Sequence, residues 1–227
     1  MQKIHLVTIG IAILLNSSFL SAKQTGFSFK KNNDIQITVD QNETAVVKTA
    51  VDIFCTDFNK VFQAKTTIDS EGQFLIVTIG LNTMAEKLSN PTDIQELKTK
   101  QEAFLITVKN GKLIVLGSDK RGTAYGILEI SRLIGVSPWE WWADSPTETK
   151  ENLTLKNGFR SFQAPSVKHR GIFINDEDWG LTPWSYKNHE PSEIKGQIGP
   201  KTHARIFELL LRLRANTFWP AMHECSV

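Results

Sequence analysis

The residues most suited to chemistry or ligand binding form one acidic segment that ends in a tryptophan: Asn175, Asp176, Glu177, Asp178 and Trp179. Apolar, β-favouring residues at 172–174 come directly before it, as expected of a strand that is buried on both faces of a parallel sheet or barrel. In barrels of parallel strands and helices, the carboxyl ends of the strands carry the chemistry. Carboxylates at this place therefore favour a functional site. A solvated acidic loop stays open as the alternative, because Asp and Asn also favour turns.

The residues after this segment predict one strand–helix–strand unit. Residues 179–199 show no apolar periodicity, which indicates a long loop, and Pro200 suits the first turn of a helix. We expect Asn216 to supply a left-handed stop, and a second strand should run from Thr217 to His223. The helix should bury an apolar stripe formed by Ile206, Phe207, Leu210 and Leu213. This is one βαβ unit, whereas a closed barrel needs eight.

The first part of the chain alternates strand and helix patterns, which predicts a small α/β domain. Strand patterns lie at 35–39 and 74–79. Between them, apolar residues at spacings of three and four predict a helix from about Glu43 to Val61, with Glu43 at its exposed start. The mixed segment 82–100 should be a loop that contains one short helix.

Turn-forming residues place the later elements of this domain. Asn110 and Gly111 predict a tight hairpin, because both turn positions need positive φ. The following helix should end at Gly135, a plausible left-handed stop. A strand pair within 152–166 should then lead to the acidic segment. The resulting division has three parts: a signal peptide at 1–22, an N-terminal α/β accessory domain at 23–162 and the start of a truncated (β/α)8 barrel at 163–227.

A tryptophan cluster at Trp139, Trp141 and Trp142 follows the core helix. Indole rings bury a large area while their N–H groups seek a partner, so such a cluster can form a sugar-stacking surface or a packed plug between layers. Because the cluster follows a core helix directly, we expect the plug.

Composition and charge exclude one class of partner. With a net charge of +2 and scattered basic residues, the chain has no stripe of positive charge that would favour nucleic acid as a partner.

The first 22 residues combine Lys3, a short apolar run and small residues, which predicts a cleaved signal peptide. The protein should then be periplasmic or secreted, with no membrane contact after cleavage. A retained anchor is the alternative. Cys55 should be a buried free thiol, with a disulfide to Cys225 as the alternative, and no Cys/His spacing indicates a metal site.

Five motifs together resemble glycoside hydrolase family 115, the xylan α-1,2-glucuronidases. The motifs are Gly117-Ser-Asp-Lys-Arg-Gly-Thr-Ala-Tyr-Gly126, Gly135-Val-Ser-Pro-Trp-Glu-Trp-Trp-Ala-Asp144, Arg170-Gly-Ile-Phe-Ile-Asn-Asp-Glu-Asp-Trp-Gly180, Ile198-Gly-Pro-Lys-Thr-His203 and Leu213-Arg-Ala-Asn-Thr-Phe-Trp-Pro-Ala-Met-His-Glu224. The resemblance implies a small α/β domain before a (β/α)8 catalytic barrel. It also implies removal of (4-O-methyl)glucuronic acid side chains from xylan, with inversion and without a cofactor. The family's chains run on for several hundred residues beyond the last motif, and their proposed acid and base lie there. We therefore expect no catalytic residue in this chain and no activity of the chain alone.

The residues at the predicted strand ends could supply part of a pocket for an anionic sugar. Carboxylates can accept hydrogen bonds from sugar hydroxyls, indoles can offer an apolar face, and His223 could donate to the uronate or serve a structural role. The expected substrate-binding residues are Asn175, Asp176, Glu177, Trp179, Trp219 and His223, with no metal and no cofactor. The expected partner is glucuronoxylan or its oligosaccharides, and a homodimer stays open for the complete protein. The alternative function is a non-catalytic exported carbohydrate-binding or scaffold module.

Overall fold

The structure, a computed structural model, describes residues 25–81, 87–175, 179–191 and 196–220. Its largest sheet has six strands, which are β2 Ile35–Val39, β3 Thr66–Ile68, β4 Phe74–Thr78, β5 Phe104–Lys109, β6 Lys112–Gly117 and β8 Arg160–Gln163. Their order in the sheet is β3-β2-β4-β6-β5-β8. Neighbouring strands are parallel from β3 to β6, whereas β5 runs antiparallel to both β6 and β8. The first part of the chain is thus a mixed α/β unit.

Helices cover both faces of this sheet. Helices α1 (Ala45–Phe62) and α3 (Lys120–Ile134) pack together on one face over the larger apolar core, while α2 (Pro91–Lys98) covers the smaller core on the other. The predicted helix from about 43 to 61 and the short helix within 82–100 are confirmed. Pro91 stands at the first turn of α2, where its missing N–H costs nothing, and the Asn90 side chain caps the Thr92 amide.

A separate two-stranded ribbon closes the larger core. Strand β1 (Gly26–Lys30) pairs antiparallel with β7 (Asn152–Lys156). Its Phe29 packs among the phenylalanines of α1, and its Phe27 packs against Phe74 of β4. The two predicted strands within 152–166 therefore exist, but their pairing with each other is wrong. Strand β7 joins β1, and β8 becomes the edge of the large sheet next to β5.

The turn chemistry is confirmed at the positions where positive φ is required. Asn110 has φ 52° and Gly111 has φ 73°, and together they join β5 to β6 as a tight hairpin. Gly135 has φ 111° and ends α3, with its N–H bonded to the Arg132 carbonyl. One expectation fails: Glu43 is only 4% exposed, because its carboxylate accepts the backbone N–H of Thr78 at the end of β4.

The second part of the chain forms the predicted βαβ unit. Strand β9 (Gly171–Phe173) pairs parallel with β10 (Thr217–Trp219), and the helix between them, α5 (Pro200–Arg212), begins at Pro200 as expected. Residues 179–199 are not a plain loop, because the four-residue helix α4 (Leu181–Trp184) runs on into a π-helical turn, Ser185–His189.

Three details of this unit differ from expectation. The left-handed residue after α5 is Arg214, with φ 59°, and not Asn216, whose side chain is instead engaged in hydrogen bonds. Helix α5 buries Ile206 and Leu210 but leaves Phe207 and Leu213 about two-fifths exposed. Strand β9 is exposed and not buried on both faces, because it pairs on one edge only among the residues described.

No helix among these residues is long and apolar enough to cross a membrane. The predicted signal peptide lies outside the described residues, as do Cys225 and the end of the predicted strand at His223.

Candidate functional site

The carboxyl ends of β9 and β10 lie side by side and form one edge of the βαβ unit. Phe173 and Trp219 are register partners, and their rings meet edge to face with centroids 6.0 Å apart. The Ile174 N–H donates to the Trp219 carbonyl at 3.1 Å, which extends the pairing beyond the strands. Trp219, at this edge, is 67% exposed, and Trp179, which comes after β9 in the sequence, is 73% exposed. Both indole rings thus present apolar surface to solvent.

The predicted site residues divide into two groups. Asn175, Trp179 and Trp219 are described, and Asn175, which is exposed, directly follows the end of the β9 pairing. Asp176, Glu177 and His223 lie outside the described residues. Their assignment to a binding pocket stays a prediction from the sequence.

The carboxylate of Glu102, which lies just before β5 of the large sheet, holds the amino ends of β9 and β10. Arg170 and Asn216, the residues directly before β9 and β10, both donate to Glu102, Asn216 at 2.9 and 3.0 Å. The two residues also bind each other, since the Arg170 N–H donates to the Asn216 side-chain oxygen at 3.0 Å and the Asn216 N–H to the Arg170 carbonyl at 2.8 Å. Glu102 has left-handed backbone, φ 52°, and its N–H donates to Asp119. This arrangement fixes where the two strands start relative to the large sheet.

The charge of Glu102 is stabilised in place. Burial alone would raise the pKa of its carboxyl, but hydrogen bonds from Arg170, Asn216 and Arg121 outweigh that effect and hold the pKa below its ordinary value. Burial, together with the neighbouring Glu102 charge, raises the pKa of Tyr125 to about 12. The neutral Tyr125 hydroxyl donates to the Ala215 carbonyl at 3.0 Å. Tyr125 therefore fixes the backbone just before β10.

Two further ion pairs join the end of α5 to the helices of the first part. Arg212 binds both oxygens of Asp57 on α1 at 2.7 and 3.0 Å, and both side chains are almost inaccessible to solvent. Arg214 donates to Glu129 on α3 at 2.6 Å. Burial opposes the charge of Glu129, yet hydrogen bonds from Arg132 and the two arginine charges keep its pKa below the ordinary value. Arg212 also pairs with Glu208, one turn earlier on α5, at 2.9 Å.

The tryptophan cluster lies between the two parts of the chain. Trp141 packs edge to face against Trp142, centroids 4.8 Å apart, and against Trp184, 5.9 Å apart. The Trp142 indole N–H donates to the Arg205 carbonyl on α5 at 3.2 Å, and the Arg205 guanidinium lies over the Trp141 ring. These contacts confirm the packed plug for Trp141 and Trp142.

A groove of about 790 Å³ runs along the outer side of this plug. Its walls come from both parts of the chain: Glu140, Trp141, Trp142, Asp144, Gly180, Leu181 and Trp184. Gly180, which lines the groove, directly follows Trp179 in the sequence.

Metal ligands do not gather anywhere in the part of the chain that the structure describes. No group of three His, Cys, Asp or Glu side chains there could hold a metal ion. Cys55 is a free thiol of intermediate exposure, and burial raises its pKa.

Comparison with known proteins decides the family. Residues 162–227 match the model of glycosyl hydrolase family 115. Over 88% of its length, the chain is 53% identical to a solved 4-O-methyl-α-glucuronidase of that family, described as specific for decorated arabinogalactans, with a TM-score of 0.83. The chain belongs to glycoside hydrolase family 115. It spans about a quarter, 26%, of the length of that solved family 115 enzyme.

More distant structures share the fold of this family 115 chain. An N-acetyl-β-hexosaminidase from Streptomyces plicatus is 10% identical, with a TM-score of 0.51 over 87% of this chain and 32% of its own. An inactive mutant of a family 20 exo-β-N-acetylglucosaminidase from Vibrio harveyi is 13% identical, with a TM-score of 0.50 over 87% of this chain and 24% of its own. No curated protein matches the chain.

Sequence reasoning on this family 115 chain missed the role of Glu102. Its partners Arg170 and Asn216 are 68 and 114 residues away, so no local spacing indicates the contact. The only local sign is an acidic residue directly before a buried apolar strand. Arg170 stands directly before β9, at the end of the strand opposite to Asn175.

We expect acid to loosen the contact between the two parts of the chain. Glu102 and Glu129 have pKa values below those of the unfolded chain, so their contribution to stability is complete above about pH 4.3, the value of an unperturbed Glu, and is lost as the pH falls through their folded-state pKa values. The measurement is urea unfolding at pH 7 and at steps below pH 5. The variant carrying Glu102→Gln and Glu129→Gln should be less stable at pH 7 and should lose less stability in acid. An identical acid dependence in both proteins would contradict this assignment.

Proposed function

We propose that this chain is the N-terminal part of a secreted or periplasmic glycoside hydrolase that removes glucuronic acid or 4-O-methylglucuronic acid side chains from a decorated polysaccharide. The observation that carries the proposal is the 53% identity to a 4-O-methyl-α-glucuronidase over 88% of the chain. That enzyme is described as specific for decorated arabinogalactans, and the sequence motifs resemble xylan-active enzymes. Both polysaccharides are therefore candidate substrates.

In this proposal, β9, α5 and β10 are the first βαβ unit of a (β/α)8 barrel, and residues 23–162 are the accessory domain before it. Support comes from the parallel pairing of β9 with β10 and from the helix that crosses between them. The site at their carboxyl ends then corresponds to the face of a barrel that carries active sites.

The chain on its own should not hydrolyse the substrate. An inverting glycosidase places an acid and a base roughly 6.5–9.5 Å apart on opposite faces of the sugar, with room for water between them. Of the two strand ends, one is followed by an acidic segment in the sequence. Their proposed role is to bind the sugar, with the Trp179 and Trp219 rings as apolar surface and Asn175 as a hydrogen-bonding group.

The test is a chimera in which residues 25–220 replace the matching segment of the 53% identical enzyme. Release of 4-O-methylglucuronic acid from decorated xylo-oligosaccharides and from decorated arabinogalactan is measured for the chimera and for the 227-residue protein alone. We expect activity of the chimera and none of the chain alone. A folded but inactive chimera would instead favour a non-catalytic carbohydrate-binding module.

The largest functional effect expected from a single site residue is that of Asp176→Asn in this chimera. If Asp176 accepts a hydrogen bond from the bound sugar, its replacement removes a charged acceptor, and hydrogen bonds to charged groups contribute about 1.5–3 kcal/mol. The value of kcat/KM should therefore fall at least roughly tenfold, with little change in thermal stability.

The control for this prediction is Glu71→Gln, which changes an exposed carboxylate in the turn before β4, far along the sequence from the site. Glu43 is unsuitable because its carboxylate is buried against Thr78. Equal kinetics for Asp176→Asn and the unmodified chimera would assign the acidic segment to a solvated loop.

A further inference from the structure

The groove beside the tryptophan plug has the dimensions and the shape of a binding surface. Its volume is about 790 Å³, within the range of small-molecule sites, and it is open to solvent along its length. The three indoles that line it, Trp141, Trp142 and Trp184, are half-buried, so each is held by the protein on one side and contributes ring surface on the other. Their orientations are fixed by ring contacts, including the stacking of His189 on Trp184 at 5.4 Å. The apolar walls are therefore preorganised.

The polar groups of the groove are acceptors. Glu140 and Asp144 bring two carboxylates to the same groove as the indoles, with Glu140 held in place by Lys60 at 2.6 Å. Asp144 is exposed and has left-handed backbone, φ 45°, a conformation uncommon for residues other than glycine. A carboxylate accepts hydrogen bonds from hydroxyl groups, while ring faces of indole pack against the C–H faces of a pyranose. This combination suits an uncharged sugar, because a uronate would meet the negative charge of Asp144, whereas the charge of Glu140 is paired with Lys60.

The groove is linked in sequence to the predicted acidic segment. Gly180 lines it and follows Trp179 directly, and a side chain at Gly180 would project into open space. In the proposed function, the substrate carries uncharged main-chain sugars beside its charged side group, and the chemistry of this groove suits those uncharged sugars. Leu181 and Trp184, the first and last residues of α4, form one wall of the groove.

We propose that this groove binds uncharged pyranose units of the polysaccharide main chain. This inference rests on the proposed function, since it extends the same substrate away from the glucuronic acid. It assigns the tryptophan plug a second role, because the same indoles that join the two parts of the chain also carry the sugar-binding surface.

The test is binding by isothermal titration calorimetry to the 227-residue protein, with no catalysis involved. The probes are a linear unsubstituted xylo-oligosaccharide, a linear galacto-oligosaccharide and glucuronic acid. We expect at least one of the two neutral oligosaccharides to bind, and the preferred one identifies the main chain. Glucuronic acid should bind more weakly than that oligosaccharide. An absence of binding for both neutral probes, or tighter binding of glucuronic acid, would overturn the proposal.

Two variants connect binding to the groove. Trp184→Ala should weaken binding about tenfold, as expected from the loss of a large apolar contact surface. Asp144→Asn should weaken it about fivefold, because an amide oxygen is a poorer acceptor than a carboxylate, while Asn tolerates the left-handed backbone. If Trp184→Ala does not fold, Asp144→Asn decides.

The matched control is Trp139→Ala, which removes an indole that is 47% exposed and outside the groove lining. It should leave binding unchanged. Binding that is the same in Asp144→Asn and the unmodified protein would place the sugar elsewhere and reject the groove. Because the assay needs no turnover, an inactive chimera with intact oligosaccharide binding would reject the proposed hydrolase and retain the groove. An active chimera without such binding would do the reverse.

Discussion

Replacing Asp57 by Asn is expected to lower the free energy of unfolding by about 3 kcal/mol, the lower end of the range for breaking a buried ion pair. The side chains of Asp57 and Arg212 are 1% and 6% exposed, so the remaining guanidinium would face an amide group in a place that water does not reach. Glu208 still contacts Arg212 at 2.9 Å and is more exposed, which limits the loss. The consequence is weaker docking of α5 on α1.

Urea unfolding and limited proteolysis measure this effect. In Asp57→Asn, cleavage within 196–220 should become faster than cleavage within the large sheet. The control is Glu151→Gln, the same chemical change in the surface pair with Lys31, where Glu151 is 78% exposed. Its effect should stay below about 1 kcal/mol. If the two variants were equally stable, the buried pair would have no special part in docking.

A double variant separates the unpaired charge from the pair itself. Asp57→Leu combined with Arg212→Met removes both charges, and replacement of a buried ion pair by apolar side chains is often neutral or stabilising. This protein should therefore unfold at a higher urea concentration than Asp57→Asn. A double variant less stable than the single one would mean that the pair contributes net stability.

Features fixed by neighbouring residues were predicted well from the sequence. The hairpin at Asn110 and Gly111 and the end of α3 at Gly135 follow from backbone conformations that few residue types adopt easily. Helix α1 follows from its apolar spacing, which needs only one buried face. In each case the determining residues lie within a few positions of the feature.

Features fixed by distant partners were predicted poorly. Strand β7 pairs with β1, which lies more than 100 residues earlier, and nothing in the sequence of either strand specifies that partner. Glu43 was predicted to lie at an exposed helix start, yet it is buried because the Thr78 N–H at the end of β4 donates to its carboxylate. The exposure of β9 likewise depends on which strands are beside it, whereas its apolar residues indicate only that it suits burial.

The candidate site shows the same division between local and distant information. The βαβ unit that carries Phe173 and Trp219 on its two strands was expected from the sequence, whereas the register that makes these two residues partners was not. The groove was not expected, because it forms only when Trp141 and Trp142 meet Trp184 across more than 40 residues of sequence. Sequence therefore indicates which residues suit sugar binding, and tertiary packing decides which of them share a surface.

Gly171→Ala is expected to separate β9 from β10. A Cβ at this position would overlap the backbone oxygen of Thr217 and lie 2.5 Å from its carbonyl carbon, so backbone and not a flexible side chain would have to move. Insertion of a methyl group into a tightly packed place typically costs about 1–3 kcal/mol, and we expect about 3 kcal/mol because neither strand can yield by changing a rotamer. The pairing beyond the clash, including the bond from Ile174 to Trp219, should weaken with it.

Amide hydrogen exchange gives the decisive measurement for Gly171→Ala, since it resolves the effect by segment. Protection should fall at Asn216 and Thr217, whose N–H groups donate to the Arg170 carbonyl, while β4 and β6 in the large sheet keep theirs. The control is Gly158→Ala, at a left-handed position with φ 87° and open space around it, where strain of about 1–2 kcal/mol should leave β10 protected. Unchanged protection at Asn216 and Thr217 in Gly171→Ala would show that the two strands can shift without separating. Loss of protection confined to this unit would instead mean that the close approach at Gly171 sets the spacing of the two strand ends that carry Asn175 and Trp219.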